Sequence, residues 1–370
     1  MADDDEEYVD YAAVAGFCTT PPSSEDEAPH KLDASELRAS LTALAELQQP
    51  RRHVEAAPLP QLSEDDILRH YDSAVECVTL LVSFGGLAAG MGGHPAGVAR
   101  HEFVGTARRV GASHALFLKD PEQAWYLRGG TDTADAYAGV TALVAQEVQA
   151  LRPRRLVLVG ASMGGYAAIR VGLALGADVV LAFGPQVFID PAERAALDLP
   201  HAFFDAKLRA LEAAGVPLRP SLVALVSRRS ASPADGGGLA DGTPQQRLHR
   251  ATTTTRLMLH VGGNCSGDVT EAALLQRAAT EAEEEASAVR GTDADAPRDG
   301  AASGAVVVEV TVHRRCGHAV ASRIRAAGKL DPLLRRCIGV GHGEQESVAS
   351  QEAAGGVATS TESASSVRKV

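Results

Sequence analysis

Arg155-Leu-Val-Leu-Val-Gly-Ala-Ser-Met-Gly-Gly-Tyr166 decides the reading of this chain. Leu156 to Val159 is an apolar, β-branched-rich run and predicts a buried strand. Gly160-Ala161-Ser162-Met163-Gly164 follows as a G-x-S-x-G, and Gly165 to Leu175 is a small-residue stretch that predicts a helix packed close to a sheet. In a chain this rich in Gly and Ala the bare motif says little, and a turn with an inert serine is the alternative. Strand, tight turn and helix around one serine are the context that gives it meaning. The glycines have a steric task there, because side chains at 160 and 164 would meet the flanking strand and helix. The helix start would aim backbone N–H groups at a developing negative charge.

Working outward, apolar runs alternate with helical spacing. Cys77 to Phe84 predicts a strand that stops at Gly85-Gly86, and Ser113 to Leu118 predicts a second that stops at Lys119-Asp120-Pro121. Asp178 to Phe183, Arg256 to Val261 and Ala305 to Val312 predict three more. Helices are expected at 97–110, at Thr131 to Leu151 and from about Ala319 to Leu334. Strands alternating with helices of this length imply an α/β fold, with a mostly parallel central sheet and helices on both faces.

The compact domain is expected at 76–340, with a lid-like region at 184–250 and an acidic, Ala/Ser/Gly-rich insertion at 276–304. Before it, 1–30 reads as a disordered acidic N-terminus and 31–75 as a helical extension. Leu37, Leu41, Leu44 and Leu47 share a face within it, and a short helix is expected to open at Ser63. Residues 341–370 read as a disordered tail.

The chain has 370 residues, 45% of them hydrophobic but only 4% aromatic, so its core must be built from Ala, Val and Leu. Its net charge of -12 argues against nucleic acid or an anionic membrane as partner. Asp3 to Glu7, Glu25 to Glu27 and Glu281 to Glu285 carry much of that charge and read as solvated, mobile chain. Met1 to Glu7 has no basic start and no apolar run, and no apolar stretch reaches the length of a membrane span, so neither a signal peptide nor a transmembrane helix is expected. Five widely spaced cysteines suggest free thiols in a reducing, cytoplasmic setting. Cys265 and Cys316 match no metal-ligand spacing, and nothing indicates a cofactor.

A serine hydroxyl needs a base to become a nucleophile. On this architecture the acid and then the base follow the serine, each in a loop after a later strand. The loop after the last strand holds His313 and His318, and His318, after a glycine and before a helix, is the better placed base. The loop after 256–261 offers Asp268 as the acid, with a helix N-cap as its alternative role and Asp190 as the rival acid. Backbone N–H groups of Met163 and of Gly86 or Leu87 are the expected oxyanion donors, with Gly90 to Gly93 extending that glycine-rich stretch. Asp120, Trp125 and Gln186 are candidate pocket residues, though each type is more often structural.

The assembled residues resemble the α/β-hydrolase superfamily over about 76–340. A narrower likeness rests on Phe84-Gly-Gly, Ala115 to Pro121 with Trp125-Tyr126, Gly160 to Tyr166, Phe183-Gly-Pro-Gln-Val-Phe-Ile-Asp190 and Cys316-Gly-His318. This order is similar to that of little-characterised bacterial hydrolase-like proteins, some linked to surface polysaccharide, with accessory-secretion acetyltransferase-like proteins as distant relatives. The resemblance implies Ser162 as nucleophile, Asp268 as acid and His318 as base. The N-terminal extension and the acidic insertion depart from the family, and the insertion lengthens the Asp-to-His spacing. The expected activity is ester or related acyl hydrolysis on a small-molecule or glycan substrate. The alternatives are acyl transfer with the same triad and a non-catalytic binding protein of the same fold. Oligomeric state is not legible.

Overall fold

The computed structural model describes residues 62–87, 98–127, 137–200, 204–216, 218, 221–231, 254–292 and 305–339. The acidic N-terminus, the helix expected before Pro50, Gly90 to Gly93, residues 232–253, residues 293–304 and residues 340–370 lie outside the described residues.

Seven strands form one sheet in the order β1-β3-β2-β4-β5-β6-β7. They are β1 (Ile67–Tyr71), β2 (Thr79–Phe84), β3 (His114–Leu118), β4 (Arg155–Ala161), β5 (Val179–Phe183), β6 (Thr255–Gly262) and β7 (Val306–His313). All neighbours pair parallel except β1, which runs antiparallel to β3 with Ile67 opposite Leu118 and Tyr71 opposite His114. The helices are α1 (Val104–Arg109), α2 (Ala138–Leu151), α3 (Met163–Leu175), α4 (Pro191–Ala196), α5 (Asp205–Ala213), α6 (Leu222–Ala231), α7 (Ser266–Thr292), α8 (Val320–Ala326) and α9 (Leu330–Ile338).

The apolar run of β4 feeds two cores. Leu156 and Leu158 pack on one face with residues of α2, α3, α6 and α7. Val157 and Val159 pack on the other with residues of α1, α8 and α9. A strand buried on both faces has no polar alternation, which is why it reads as continuous Leu and Val. Each of these four side chains is fully buried, a stabilisation of about 1.5–3 kcal/mol apiece before entropy is counted. Helix α3 is buried from Met163 to Leu173, so its small residues let it lie close on β4 and β5.

The short helix expected to open at Ser63 is present as one 3-10 turn, Glu64–Asp66, capped by Ser63. Three expectations need correction. The sheet reaches back to Ile67, into the expected helical extension and ahead of the start expected near Glu76. The expected final helix is two, because Gly328 adopts φ 66° and separates α8 from α9. The acidic run Glu281 to Glu285 lies within α7, which carries the expected insertion as regular helix to Thr292. Among the described residues no helix is long and apolar enough to cross a membrane.

Candidate active site

Every parallel strand ends toward the same edge of the sheet, so the loops after β2, β3, β4, β5, β6 and β7 converge there. Ser162 stands between β4 and α3 with φ 52° and ψ −119°. Positive φ on a non-glycine residue stores strain, of order 1–3 kcal/mol, that the surroundings must hold. They do so by main-chain bonds: Ser162 N–H donates to the Phe183 carbonyl, and Tyr166 N–H donates to the Ser162 carbonyl. The flanking glycines are obligatory. A Cβ on Gly160 would stand 2.2 Å from the Gly164 carbonyl oxygen, and a Cβ on Gly164 would stand 2.2 Å from that of Phe84.

His318, from the loop after β7, places Nε2 2.9 Å from Ser162 Oγ. Its Nδ1 is 2.8 Å from Asp268 Oδ2. Asp268 lies in the first turn of α7, just after β6. A carboxylate only accepts, so Nδ1 carries the ring proton and Nε2 turns its lone pair to the serine hydroxyl. Serine, histidine and aspartate are thus joined in one line. The His318 and Asp268 side chains are only 15% and 12% exposed, so little water competes for these bonds. Gly184 backs the pair: a Cβ there would meet the His318 carbonyl oxygen at 3.0 Å and Asp268 Oδ2 at 3.2 Å.

The other candidates fall elsewhere. Asp190 caps α4, its Oδ1 accepting the Ala192 N–H at 2.7 Å and the Glu193 N–H at 3.3 Å. His313 turns to His260, with His313 Nε2 2.9 Å from His260 Nδ1. Burial, then the His313 and Arg336 charges, push His260 down to about 4. Burial and Lys329 push His313 down as well.

On the β2 side the Gly85 N–H already bonds to the Leu118 carbonyl, leaving Gly86 and Leu87 as the backbone donors to consider. Gly86 lies close to the elbow, since a Cβ on it would be 2.9 Å from the Ala161 carbonyl oxygen. Met163 begins α3, ahead of the first intrahelical bond, which is made by Tyr166.

The three candidate pocket residues behave differently from one another. Asp120 organises the loop after β3, its Oδ2 accepting from Ala124 N–H at 2.7 Å and Tyr126 N–H at 2.9 Å. Trp125 is fully buried and donates its indole N–H to Gln186 Oε1 at 2.5 Å. Gln186 in turn places Nε2 3.0 Å from Ser162 Oγ, so of the three it alone touches the serine.

Sequence reasoning missed the support beneath this segment. Glu271, in α7 beyond Asp268, accepts the Val187 N–H at 2.6 Å and the Phe188 N–H at 3.3 Å, and pairs with Arg194 at 2.8 Å. Burial pushes the Glu271 carboxyl up, and Arg194 opposes that. The signal available was spacing: positions 268 and 271 lie on one helical face. Cys265 also stands near, its Sγ, the Asp268 carboxylate and the His318 ring each offering an atom within 4.8 Å of the others. Asp268 and His318 are already bonded to each other, so this cluster is the same site.

No family model and no curated protein matches the chain by sequence. Solved structures do. The capsule O-acetyltransferase of Neisseria meningitidis serogroup A is 10% identical, with 78% of this chain and 99% of that chain covered and a TM-score of 0.42. A putative esterase from Staphylococcus aureus is 12% identical, with 81% and 91% covered and a TM-score of 0.42. An esterase of the bacterial hormone-sensitive lipase family is 15% identical, with 83% and 100% covered and a TM-score of 0.38. At these identities and scores the likenesses carry no argument about activity. The strand order, the antiparallel first strand, the helices on both faces and the strained serine after β4 make this an α/β-hydrolase fold.

Proposed function

We propose that the protein is a serine hydrolase cleaving an ester or related acyl bond through an acyl-enzyme, with Ser162 as nucleophile, His318 as base and Asp268 as its orienting acid. The observation that carries this reading is the continuous line Ser162 Oγ, His318 Nε2, His318 Nδ1 and Asp268 Oδ2, with links of 2.9 and 2.8 Å.

The steps follow from that line. Ser162 Oγ attacks the acyl carbon while its proton passes to His318 Nε2. The carbonyl electron pair moves onto oxygen, which the Met163 N–H and the Gly86 or Leu87 N–H stabilise. Asp268 stabilises the imidazolium without taking its proton. The pair returns, the leaving alkoxide takes the proton from His318, and Ser162 is acylated. Water then repeats the sequence with His318 as base again. A sugar or other alcohol in place of water would make the same site an acyltransferase, and the acceptor side decides between them.

The test is mass analysis of the intact protein after mixing with p-nitrophenyl acetate, with and without added alcohols or sugars. An acetyl group on Ser162 that water removes supports hydrolysis, and one that leaves faster with an added hydroxyl supports transfer. An unmodified Ser162 in folded protein that also releases no p-nitrophenol contradicts both and leaves the binding-protein reading.

A further inference from the structure

Gln186 follows β5 by a short turn and is almost fully buried. Its carboxamide is held in one orientation. An indole N–H can only donate, so the atom it meets must be the amide oxygen, and the NH₂ is left facing Ser162. Trp125 is itself fixed. It lies in a turn with φ 54°, Asp120 gathers the amides on either side of it, and the Tyr137 hydroxyl donates to its carbonyl. On the other side, Glu271 grips the Val187 and Phe188 amides directly after Gln186. Both ends of the carboxamide's surroundings are therefore preorganised, and its donor end points at the reacting oxygen. A structural glutamine would satisfy itself on any carbonyl; this one takes the hydroxyl that also touches His318.

We propose that the Gln186 carboxamide is a side-chain oxyanion donor, an inference that rests on the hydrolase reading above. Before attack its N–H bonds to Ser162 Oγ, whose own O–H donates to His318 Nε2. As the bond from Oγ to the acyl carbon forms and the Oγ proton passes to His318, Oγ becomes an ester-type oxygen and a poor acceptor. Negative charge appears on the carbonyl oxygen attached to the same carbon. The N–H transfers its hydrogen bond to that oxygen without releasing a proton, and returns to Ser162 when the carbonyl re-forms after the leaving group departs. A hydrogen bond to a full negative charge is about twice as strong as one to a neutral hydroxyl, so the contact favours the transition state over the ground state. Loss of an oxyanion-hole donor lowers kcat by about 10²–10³. Because this donor also binds the ground-state hydroxyl, the loss expected here is about 10–100-fold.

The test compares p-nitrophenyl acetate turnover and fluorophosphonate labelling in wild type, Gln186→Met, Gln186→Glu and Trp125→Phe, each checked for folding by thermal melting. The expected result is a fall in kcat with KM nearly unchanged in Gln186→Met. Gln186→Glu keeps the size and the Trp125 contact but presents an acceptor to the oxyanion, so it should be slower still and slow further as pH rises through its ionisation. Trp125→Phe, which frees the amide to flip, should fall between wild type and Gln186→Met. A trifluoromethyl ketone, whose adduct carries the oxyanion, should bind Gln186→Met more weakly by the factor lost in kcat/KM. Wild-type turnover matched within twofold by folded Gln186→Met and Gln186→Glu overturns the inference and leaves the hydrolase reading intact. Wild type that neither turns over nor labels overturns the hydrolase reading, and this inference with it.

Discussion

Two histidine groups stand at the ends of β6 and β7, and they differ in what faces them. His318 has a carboxylate on Nδ1 and a hydroxyl on Nε2. His260 and His313 face each other, ring to ring, with centroids 5.2 Å apart. Phe183 packs on His260 at 5.4 Å, and the charges acting on the pair are the cations Arg336 and Lys329. The first arrangement stabilises an imidazolium as it forms, and the second opposes one. On the proposed reading, the carboxylate on the far nitrogen, rather than nearness to the strand end, separates a base from a packing histidine.

The largest effect should come from making the first group resemble the second. Asp268→Asn removes the charge and the tautomer control, and should cut ester turnover by about 10⁴-fold. His313→Asn should leave it within a few-fold. Equal losses in the two variants would erase the contrast.

Glu271 and Asp268 share a face of α7, yet only Asp268 orients a histidine. Glu271→Ala leaves the buried Arg194 with Asp205, 3.3 Å away, as its remaining carboxylate and removes the acceptor of the Val187 and Phe188 N–H groups, and should destabilise the fold by about 2–3 kcal/mol in urea unfolding. A change under about 1 kcal/mol would mean that the network beneath Gln186 is not rigid.

His260 supplies a pH test. Its folded value is near 4 and its ordinary value 6.5, so between these pH values the unfolded chain binds a proton that the folded chain refuses. Stability should therefore be complete above about pH 6.5 and fall on acidification toward pH 4, by at most about 3 kcal/mol. His260→Gln should flatten that part of the melting-temperature profile. An unchanged profile would show that the pair accepts a proton after all.

The smallest effect concerns the rival acid. Asp190→Ala should cost about 1 kcal/mol of stability through the lost cap of α4, with ester turnover unchanged. A loss of turnover comparable to that of Asp268→Asn would move the acid to Asp190.

The parts of the fold set by local pattern were legible. Leu156 to Val159 announces a strand because burial on both faces needs unbroken apolar chain, and Ala305 to Val312 announces one by its run of β-branched residues, although β7 lies at the sheet edge with Val307 and Val312 exposed. His318, after a glycine and before a helix, was the histidine expected to reach the serine, and its Nε2 lies 2.9 Å from Ser162 Oγ while His313 faces His260. Strand β1 was not legible, because Ile67-Leu-Arg-His-Tyr71 lies at the sheet edge, where Arg69 and His70 can stay exposed. The acidic face of α7 read as solvated chain because charge alone does not distinguish an exposed helix from a loop. The orientation of Gln186 was beyond sequence, since it depends on an indole 61 residues away in the chain. Glu271 was missed for the same reason: its partners, Val187, Phe188 and Arg194, come together only in the folded chain.

The most direct measurement is the rate of fluorophosphonate labelling at Ser162, mapped by mass, in wild type, His318→Ala and His313→Ala. Wild type and His313→Ala should label at similar rates, and His318→Ala at least about 10³-fold more slowly. Labelling that survives in His318→Ala, or that is lost equally in His313→Ala, would contradict the claim that one histidine at this strand end is the base and the other is packing.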